Sequence, residues 1–224
     1  MSKKTQEKKD EFVNVETALS SAEQFVEHNK KPILYAVGGV IVLVLLVLAT
    51  RNFYLRPQEN QAANEIYKAQ LLFERDSFGL ALNGNAQTIG FKRIADDYGL
   101  TASGDVSAAY AGICYFQLGD YHNAIKYLSQ YGGKDKYFST TVVGLTGDSY
   151  ANLNEIDKAV SYFEKASAVK NDVTTPIYLK KAGIAYEALN KPEKALANYQ
   201  IIKDDYPQST EAQDIDKFIA RVQK

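Results

Sequence analysis

The sequence predicts an all-α protein in which one membrane-spanning helix precedes a stack of about four helix pairs and a closing C-terminal helix. Two observations predict this fold. Residues 33–50 form an uncharged apolar run, and a pattern of glycine, tyrosine and alanine recurs later in the chain at steps of 35 and 36 residues. A recurrence of this length indicates helical units that each bury an apolar face against their neighbours.

The apolar run Ile33–Thr50 has the length of a membrane-spanning helix. Its 18 residues contain no charge, and a helix of that length measures about 27 Å, close to the hydrocarbon thickness of a bilayer. A buried core helix would be amphipathic, whereas this one is apolar all round. Flanking charges and aromatic residues lie where interfacial anchors are expected, at Lys30, Lys31, Tyr35, Arg51, Phe53 and Tyr54. We place the transmembrane helix at residues 32–55.

The same run could instead belong to a cleaved signal peptide. Signal peptides have apolar cores of about 7–15 residues behind a short leader, and a small-residue cleavage site follows the core. Here 32 residues precede the run and no convincing site of this kind follows it. These features favour a retained anchor. No cysteine lies near residue 50, so a lipid-attachment site of the lipoprotein type is excluded.

The distribution of basic residues predicts the orientation of the anchor. Six lysines precede the run, namely Lys3, Lys4, Lys8, Lys9, Lys30 and Lys31, whereas only Arg51 and Arg56 follow it closely. Because positive charge is retained in the cytoplasm, residues 1–31 should be cytoplasmic and residues 57–224 exported.

The N-terminal tail carries a narrow apolar stripe. Phe12, Val15, Leu19, Ala22 and Val26 recur at three- and four-residue spacing, which predicts a weakly amphipathic helix. This helix could be a solvated tail, or it could dock on a membrane partner. Its polar face is acidic, which favours a protein over a lipid surface.

Four positions align in three successive stretches of the second half of the chain. The aligned glycines are Gly112, Gly147 and Gly183, the tyrosines Tyr115, Tyr150 and Tyr186, the leucines Leu118, Leu153 and Leu189, and the alanines Ala124, Ala159 and Ala195. This arrangement is the signature of the tetratricopeptide repeat (TPR), a pair of antiparallel helices. Small residues belong where the two helices approach most closely, and Gly119, Asn154 and Asn190 suit the left-handed end of each first helix.

An additional, degenerate unit precedes these three. Phe91–Tyr98 resembles Tyr199–Tyr206, which lies 108 residues further on, or three repeats. We therefore expect residues 86–98 to form the second helix of a first unit, and units near residues 58–98, 105–138, 140–173 and 176–208. Residues 76–85 form an insertion longer than a TPR turn, whose apolar residues could cover the core or form a docking edge. Ser209 can cap a final helix over residues 210–223, which would close the array with a polar face.

The complete layout of short tail, single span and exported TPR domain resembles the YfgM-type ancillary subunits of the bacterial Sec translocon. The resemblance implies a location in the bacterial inner membrane with the TPR domain in the periplasm. It also implies partners among translocon subunits, a membrane-anchored chaperone and exported chains. The TPR motif specifies the fold, whereas the expected partners rest on an analogy in layout.

The residue types needed for catalysis are sparse. The chain has two histidines, His28 and His122, and one cysteine, Cys114, with no spacing typical of a zinc site or a catalytic pair. Residues 51–224 carry 20 Lys plus Arg and 21 Asp plus Glu, whereas nucleic-acid binding requires clustered positive charge. We expect no enzyme activity, cofactor, metal or nucleic-acid partner, and we expect Cys114 to be a buried structural thiol.

The candidate functional residues lie on the first helix of each unit, which in TPR arrays lines the groove. Heptad-like spacing along these helices predicts groove positions at Ala109, Ile113, Phe116, Gln117, Asp148, Ala151, Asn152, Lys180, Ile184 and Glu187. Of these, Ile113, Phe116 and Ile184 could equally be partly buried packing residues. As a groove they would hold an extended or helical polypeptide segment, so the sequence favours a scaffold in protein export, with a scaffold for outer-membrane assembly or cell division as the alternative.

Overall fold

A computed structural model of the chain describes residues 28–223. The chain divides into two compact units, residues 1–54 and residues 55–224. The amphipathic helix predicted between Phe12 and Val26 lies outside the described residues.

The described part of the first unit is helical. Helix α1 comprises Lys30–Ala49, and a π-helical segment, Thr50–Leu55, follows it. The Thr50 hydroxyl donates to the carbonyl oxygen of Leu46 at 2.9 Å, so the last polar side chain of the run is satisfied by its own helix. The apolar side chains of α1 are exposed, and by length and composition the helix is sufficient to cross a membrane.

The second unit is an array of helices. They are α2 (Arg56–Phe73), α3 (Phe78–Asn83), α4 (Phe91–Tyr98), α5 (Ala102–Gln117), α6 (Tyr121–Leu128), α7 (Phe138–Asn152), α8 (Ile156–Ser167), α9 (Thr174–Ala188), α10 (Pro192–Asp205), a 3-10 turn (Thr210–Asp214) and α11 (Ile215–Val222). Successive helices contact each other, and so do α5 with α7 and α7 with α9. Within residues 28–223 there is no strand, so the all-α prediction with TPR-like helix pairs is confirmed.

The aligned glycines lie where the two helices of a unit are closest. A Cβ atom on Gly183 would lie 2.3 Å from the ring of Tyr199, and one on Gly147 would lie 2.7 Å from the ring of Phe163. Tyr199 and Phe163 are themselves buried. Each glycine therefore provides the space that a large side chain of the second helix fills.

The turns between paired helices share one geometry. Gly119, Asn154 and Asn190 have positive φ angles of 80°, 61° and 54°, as the sequence predicts. The residue after each donates its amide hydrogen to the carbonyl oxygen of an aligned tyrosine at 2.9 Å, in the pairs Asp120–Tyr115, Glu155–Tyr150 and Lys191–Tyr186. This bond closes the end of the helix in the Schellman arrangement and fixes the reversal of the chain.

The insertion in the first unit is partly helical. Residues 76–85 include α3, in which Leu82 is buried, while the Phe78 ring packs 5.4 Å from that of Phe73. Leu80 stays 48% exposed. The second helix begins at Phe91, later than the predicted residue 86. The delay arises because Asn85 accepts hydrogen bonds from the amides of Gln87 and Thr88 and holds that segment in a turn.

The array ends in a short closing helix. Ser209 accepts a hydrogen bond from the amide of Ala212 at 3.2 Å, and the predicted helix over 210–223 forms as the 3-10 turn followed by α11. Ile215 and Ile219 of α11 join the core of the last unit. Its opposite face is polar, with Asp216 and Lys217 exposed, which closes the apolar end of the stack.

Candidate functional site

The first helices α5, α7 and α9 form a row along the array, called here the first-helix row. The ten predicted groove residues all lie on these three helices. The structure assigns them to three environments: the core, the contacts between helices, and the open surface.

The residues on α5 range from buried to exposed. Ala109 is fully buried with Ala124 and Leu128, so its side chain is not accessible to a partner. Ile113 and Phe116 are half-buried against the same cluster. Gln117 is exposed. The prediction of Ala109 as a groove residue is therefore wrong, because it belongs to the core, whereas Gln117 offers an amide to the surface.

The residues on α7 form part of a contact with α9. The Lys181 ammonium donates to both carboxylate oxygens of Asp148, at 2.8 and 2.6 Å. The Asn152 side chain is exposed and donates to the carbonyl oxygen of Asp148 at 2.9 Å. Asp148 therefore joins two successive first helices, and the charge of Lys181 is balanced beside it.

Two of the three residues on α9 face the closing helix. Lys180 donates to Asp214 at 2.5 Å and lies 4.5 Å from the centre of the Phe218 ring. Glu187 accepts hydrogen bonds from Arg221 and from the Tyr199 hydroxyl. Burial tends to raise the pKa of Glu187, but the hydrogen bonds from Arg221 and Tyr199 outweigh it and leave that pKa below its usual value. These two residues fasten α11 to the last unit.

The third residue, Ile184, opens onto an apolar cavity. The side chain is 45% exposed, and the cavity has a volume of about 220 Å³. Its lining residues come from α7, α8 and α9, and they are Ala151, Ile156, Phe163, Lys181, Ile184, Ala185 and Ala188. The cavity is large enough for one apolar side chain of a partner and is open at the surface.

Sequence reasoning missed most of this lining. Lys181, Ala185 and Ala188 share a face with Ile184, so helical spacing around that residue could have found them. Ile156 and Phe163 come from α8, and their position depends on how α8 packs against α9. No spacing rule within one helix reveals that contact.

Lys181 gives the cavity its polar edge. Its ammonium lies 5.9 Å from the centre of the Phe163 ring and 5.8 Å from that of Tyr178. The aliphatic part of the side chain lines the cavity, and the charge is held at Asp148. The site therefore presents apolar surface with a neutralised rim, which suits an uncharged apolar group.

A second cavity lies on the first unit. Its volume is about 320 Å³, and its lining combines two cations and two carboxylates, from Leu82, Asn83, Lys92, Arg93, Asp96 and Asp97. Asp96 accepts a hydrogen bond from the Tyr127 hydroxyl at 3.1 Å, and Arg93 pairs with Asp97 at 3.1 Å. The first contact joins α4 to α6, and the second is an ion pair within α4.

The cysteine and histidine have no catalytic arrangement in the described part of the chain. Cys114 is fully buried, and burial raises the pKa of its thiol to about 12. His122 is exposed at the start of α6. Among residues 28–223 no three His, Cys, Asp or Glu side chains are grouped to hold a metal ion.

Models of known families match three stretches of the array. Residues 110–135 and 179–209 match one model of the tetratricopeptide repeat, and residues 144–172 match another. The chain carries tetratricopeptide repeats. A search of the curated proteins found no match.

Several solved structures share the fold. A tetratricopeptide repeat protein from Parabacteroides merdae is similar with a TM-score of 0.60 at 13% identity, over 73% of this chain and 60% of that one. The chain thus spans 60% of the length of that protein. Two structures of MamA have TM-scores of 0.54 and 0.51 at 14% and 15% identity, covering 74% and 69% of this chain and 86% and 92% of theirs. At these identities the likeness concerns the fold.

TPR arrays are protein-interaction scaffolds, and the matches indicate no catalytic family. The TPR repeats of this chain therefore imply a protein-binding scaffold. The open part of its first-helix row, around Ile184, is the candidate contact surface.

Proposed function

We propose that the protein is a membrane-anchored TPR scaffold that binds polypeptide segments at the outer face of a bacterial inner membrane and assists Sec-dependent export or the periplasmic chaperones beside it. The observation that carries the proposal is the open apolar cavity in the first-helix row. It is formed by two successive units and exposes Ile184 beside a neutralised Lys181–Asp148 pair.

The chemistry of the cavity favours a polypeptide ligand. A volume of about 220 Å³ accommodates an apolar side chain, and the exposed amides of Gln117 and Asn152 elsewhere on the row can hydrogen-bond to a peptide backbone. Neither the cavity nor its rim carries an unbalanced charge that would select one strongly charged ligand. Such a surface suits the varied apolar segments of exported chains.

The length and composition of α1 support the anchoring part of the proposal. Six residues, Thr50–Leu55, separate α1 from the start of α2 at Arg56, so an anchored array would stay close to the membrane. A tether of that length raises the effective concentration of a partner in the same membrane to the order of 1 mM. Weak contacts at the cavity would then suffice.

One affinity purification tests both the anchor and the cavity. The full-length protein is purified by affinity from membranes in mild detergent, beside Ile184→Glu and Ile201→Glu. Ile201 is a matched control, because it is also an isoleucine, is 41% exposed, and lies on α10 away from the cavity. Translocon subunits should accompany the wild type and Ile201→Glu, and they should be lost or strongly reduced with Ile184→Glu.

A chain lacking residues 1–56 tests the anchor in the same purification and should recover few of these partners. Extraction of membranes at alkaline pH should leave the full-length chain in the membrane fraction. Recovery of cell-division or outer-membrane assembly components alone would replace the export proposal with the alternative scaffold. Equal recovery with Ile184→Glu would remove the cavity from the proposal.

A further inference from the structure

The connections that follow each helix pair all lie at one edge of the array. The chain reverses direction within a pair, at the tight turns of Gly119, Asn154 and Asn190, and it reverses again after the pair. The connections after the pairs therefore share an edge, which lies opposite these tight turns. This edge, called here the connection edge, comprises residues 99–101, 129–137, 168–173 and 206–209.

The start of α2 lies at the connection edge. The Glu59 carboxylate accepts hydrogen bonds from the Ser103 amide at 3.1 Å and from the Ser103 hydroxyl at 2.6 Å. One residue further along α5 from these contacts, Asp105 accepts a hydrogen bond from the amide of Gly132 at 2.8 Å. The first turn of α2 is thus next to the first two connections. Because α2 begins at Arg56, directly after the segment that follows α1, the array is joined to its proposed anchor at this edge.

The connection edge exposes large apolar side chains at its first three connections. Leu100 is 79% exposed, Val173 60%, Tyr137 54% and Val169 41%. Within residues 55–223 no large apolar side chain is more exposed than Leu100. A row of exposed apolar tips along one edge is typical of a surface that contacts an apolar partner.

The fourth connection differs from the other three. Its residues, 206–209, expose no large apolar side chain, and Asp204 and Asp205 are exposed just before it. Successive helices of the array contact each other in chain order from α2 onwards, so the fourth connection is the one furthest along the array from α2. The apolar tips are thus confined to the part of the edge on the side of the anchor.

We propose that the first three connections rest on the surface of the bilayer that holds α1, with their apolar tips in the interfacial region. The inference rests on the proposed anchoring, because the start of α2 brings this edge, and not the opposite one, to the membrane. Three exposed lysines lie in the same connections, where they can bind headgroup phosphates, and they are Lys134, Lys136 and Lys170. Tyrosine, here Tyr137, is a residue type that membrane interfaces favour.

The charges of the two edges also differ. Besides the three lysines, the first three connections carry two carboxylates, Asp135 and Asp172. Asp135 is engaged by its own loop, since it accepts hydrogen bonds from the backbone amides of residues 137–139. The three tight turns at the opposite edge carry two carboxylates and one lysine, which are Asp120, Glu155 and Lys191. A bilayer surface that contains anionic lipid therefore favours the connection edge over the opposite edge.

Site-directed fluorescence in the full-length chain tests the contact. Single cysteines carry an environment-sensitive dye at the connection edge (Leu100→Cys, Val173→Cys), at the opposite edge (Leu118→Cys) and in α1 (Val44→Cys). Leu118 is the matched control, because it is also an exposed leucine in a turn and is separated from the connection edge by the length of α5, about 24 Å. Each variant is reconstituted in vesicles of phosphatidylethanolamine and phosphatidylglycerol, with and without lipid that carries a nitroxide quencher at its headgroup. Native Cys114 is fully buried and gives the unmodified chain as a background.

Nitroxide lipid should reduce the fluorescence of Leu100→Cys and Val173→Cys by about twofold or more, since interfacial side chains insert roughly 5–10 Å into the bilayer surface. The fluorescence of Leu118→Cys should be nearly unchanged. Adding Leu100→Glu to Val173→Cys should weaken the quenching, because a carboxylate is disfavoured at that surface, whereas adding Leu118→Glu should not. Both glutamates replace exposed side chains, so the helicity of the array should be unchanged.

The dye in α1 separates failure of this inference from failure of the anchor. Quenching at Val44→Cys without quenching at Leu100→Cys and Val173→Cys would overturn the contact and leave the anchor in place, as when the edge binds a protein instead. Equal quenching at Leu100→Cys and Leu118→Cys would also overturn it. No quenching at Val44→Cys would overturn the proposed anchor, and the inference with it.

Discussion

Arg221 donates two parallel hydrogen bonds to Glu187: its Nε lies 2.7 Å from Oε2 of the carboxylate, and its Nη2 lies 2.7 Å from Oε1. The same carboxylate accepts a hydrogen bond from the Tyr199 hydroxyl at 2.5 Å. One residue of α9 thus connects α11 and α10. Bidentate ion pairs of this kind are stronger and more directional than single hydrogen bonds.

Replacement of Arg221 by Gln should lower the stability of residues 55–224 by about 0.5–1 kcal/mol at pH 7. That loss corresponds to a fall of about 1–4 °C in the thermal midpoint, measured by circular dichroism. Lys217→Gln, which removes an exposed cation from the same helix, is the matched control and should change the midpoint less.

The effect of Arg221→Gln should depend on pH. The pKa of Glu187 in the folded state lies below its ordinary value of 4.5, so the ion pair contributes fully above about pH 5. Its contribution is lost as the pH falls through the folded-state pKa. The difference between wild type and Arg221→Gln should therefore shrink as the pH falls through the folded-state pKa of Glu187, and a difference of the same size at every pH would contradict the assigned pair.

Gly183→Ala should destabilise the last unit by about 1–3 kcal/mol, because the added methyl group would overlap the buried Tyr199 ring. Alanine has a higher helix propensity than glycine, so the measured loss is net of that gain. Gly79→Ala in α3 is the control, since no atom lies within 4 Å of its added Cβ, and it should be neutral or stabilising. Urea denaturation of both variants measures the two effects.

Cys114 should resist thiol reagents in the native protein. The thiol is fully buried and its pKa is raised to about 12 by burial, so almost no thiolate is present at neutral pH. A colorimetric thiol reagent should detect no thiol before denaturation and one per chain after it. Rapid modification of the native protein would show that α5 opens readily.

Alkaline pH should unfold the array in a step that tyrosine absorbance follows. Burial, with smaller effects from Asp96, Asp148 and Glu164, raises the pKa values of Tyr127, Tyr178 and Tyr186 to about 12. A raised folded-state pKa stabilises the fold below the ordinary tyrosine pKa of 10, and this stability is lost as the pH rises toward 12. Helicity should fall together with ionisation of these residues, and Tyr186→Phe should reduce the size of the step.

Cysteine labelling tests the predicted orientation. Gln208→Cys places an exposed thiol in the second unit, and Lys4→Cys places one in the N-terminal tail. In cells with a permeabilised outer membrane, an impermeant maleimide should label Gln208→Cys only. Labelling of Lys4→Cys before the inner membrane is disrupted, with Gln208→Cys protected, would reverse the topology.

The recurring residues predicted the units and their turns because each acts within one helix pair. Gly183 and Tyr199, or Asn190 and the carbonyl of Tyr186, lie close in the sequence, so spacing alone relates them. Site residues depend on contacts between units. Spacing placed Lys180 and Glu187 on an open groove, but Asp214 in the 3-10 turn pairs with Lys180, and Arg221 of α11 pairs with Glu187. Similarly, Ile156 and Phe163 line the cavity only because α8 packs against α9.

The contacts of α11 and of the turn before it also determine which repeat the closing helix can pack on. Lys180 and Glu187 lie three residues before and four residues after Gly183, and the corresponding positions are Gly144 and Ala151 in the preceding unit. Gly144 has no side chain and Ala151 has no charged group, so neither can form an ion pair with Asp214 or Arg221. The closing helix therefore fits one particular repeat. In a chain that lacked this repeat, Asp214 and Arg221 would lose the side chains with which they pair.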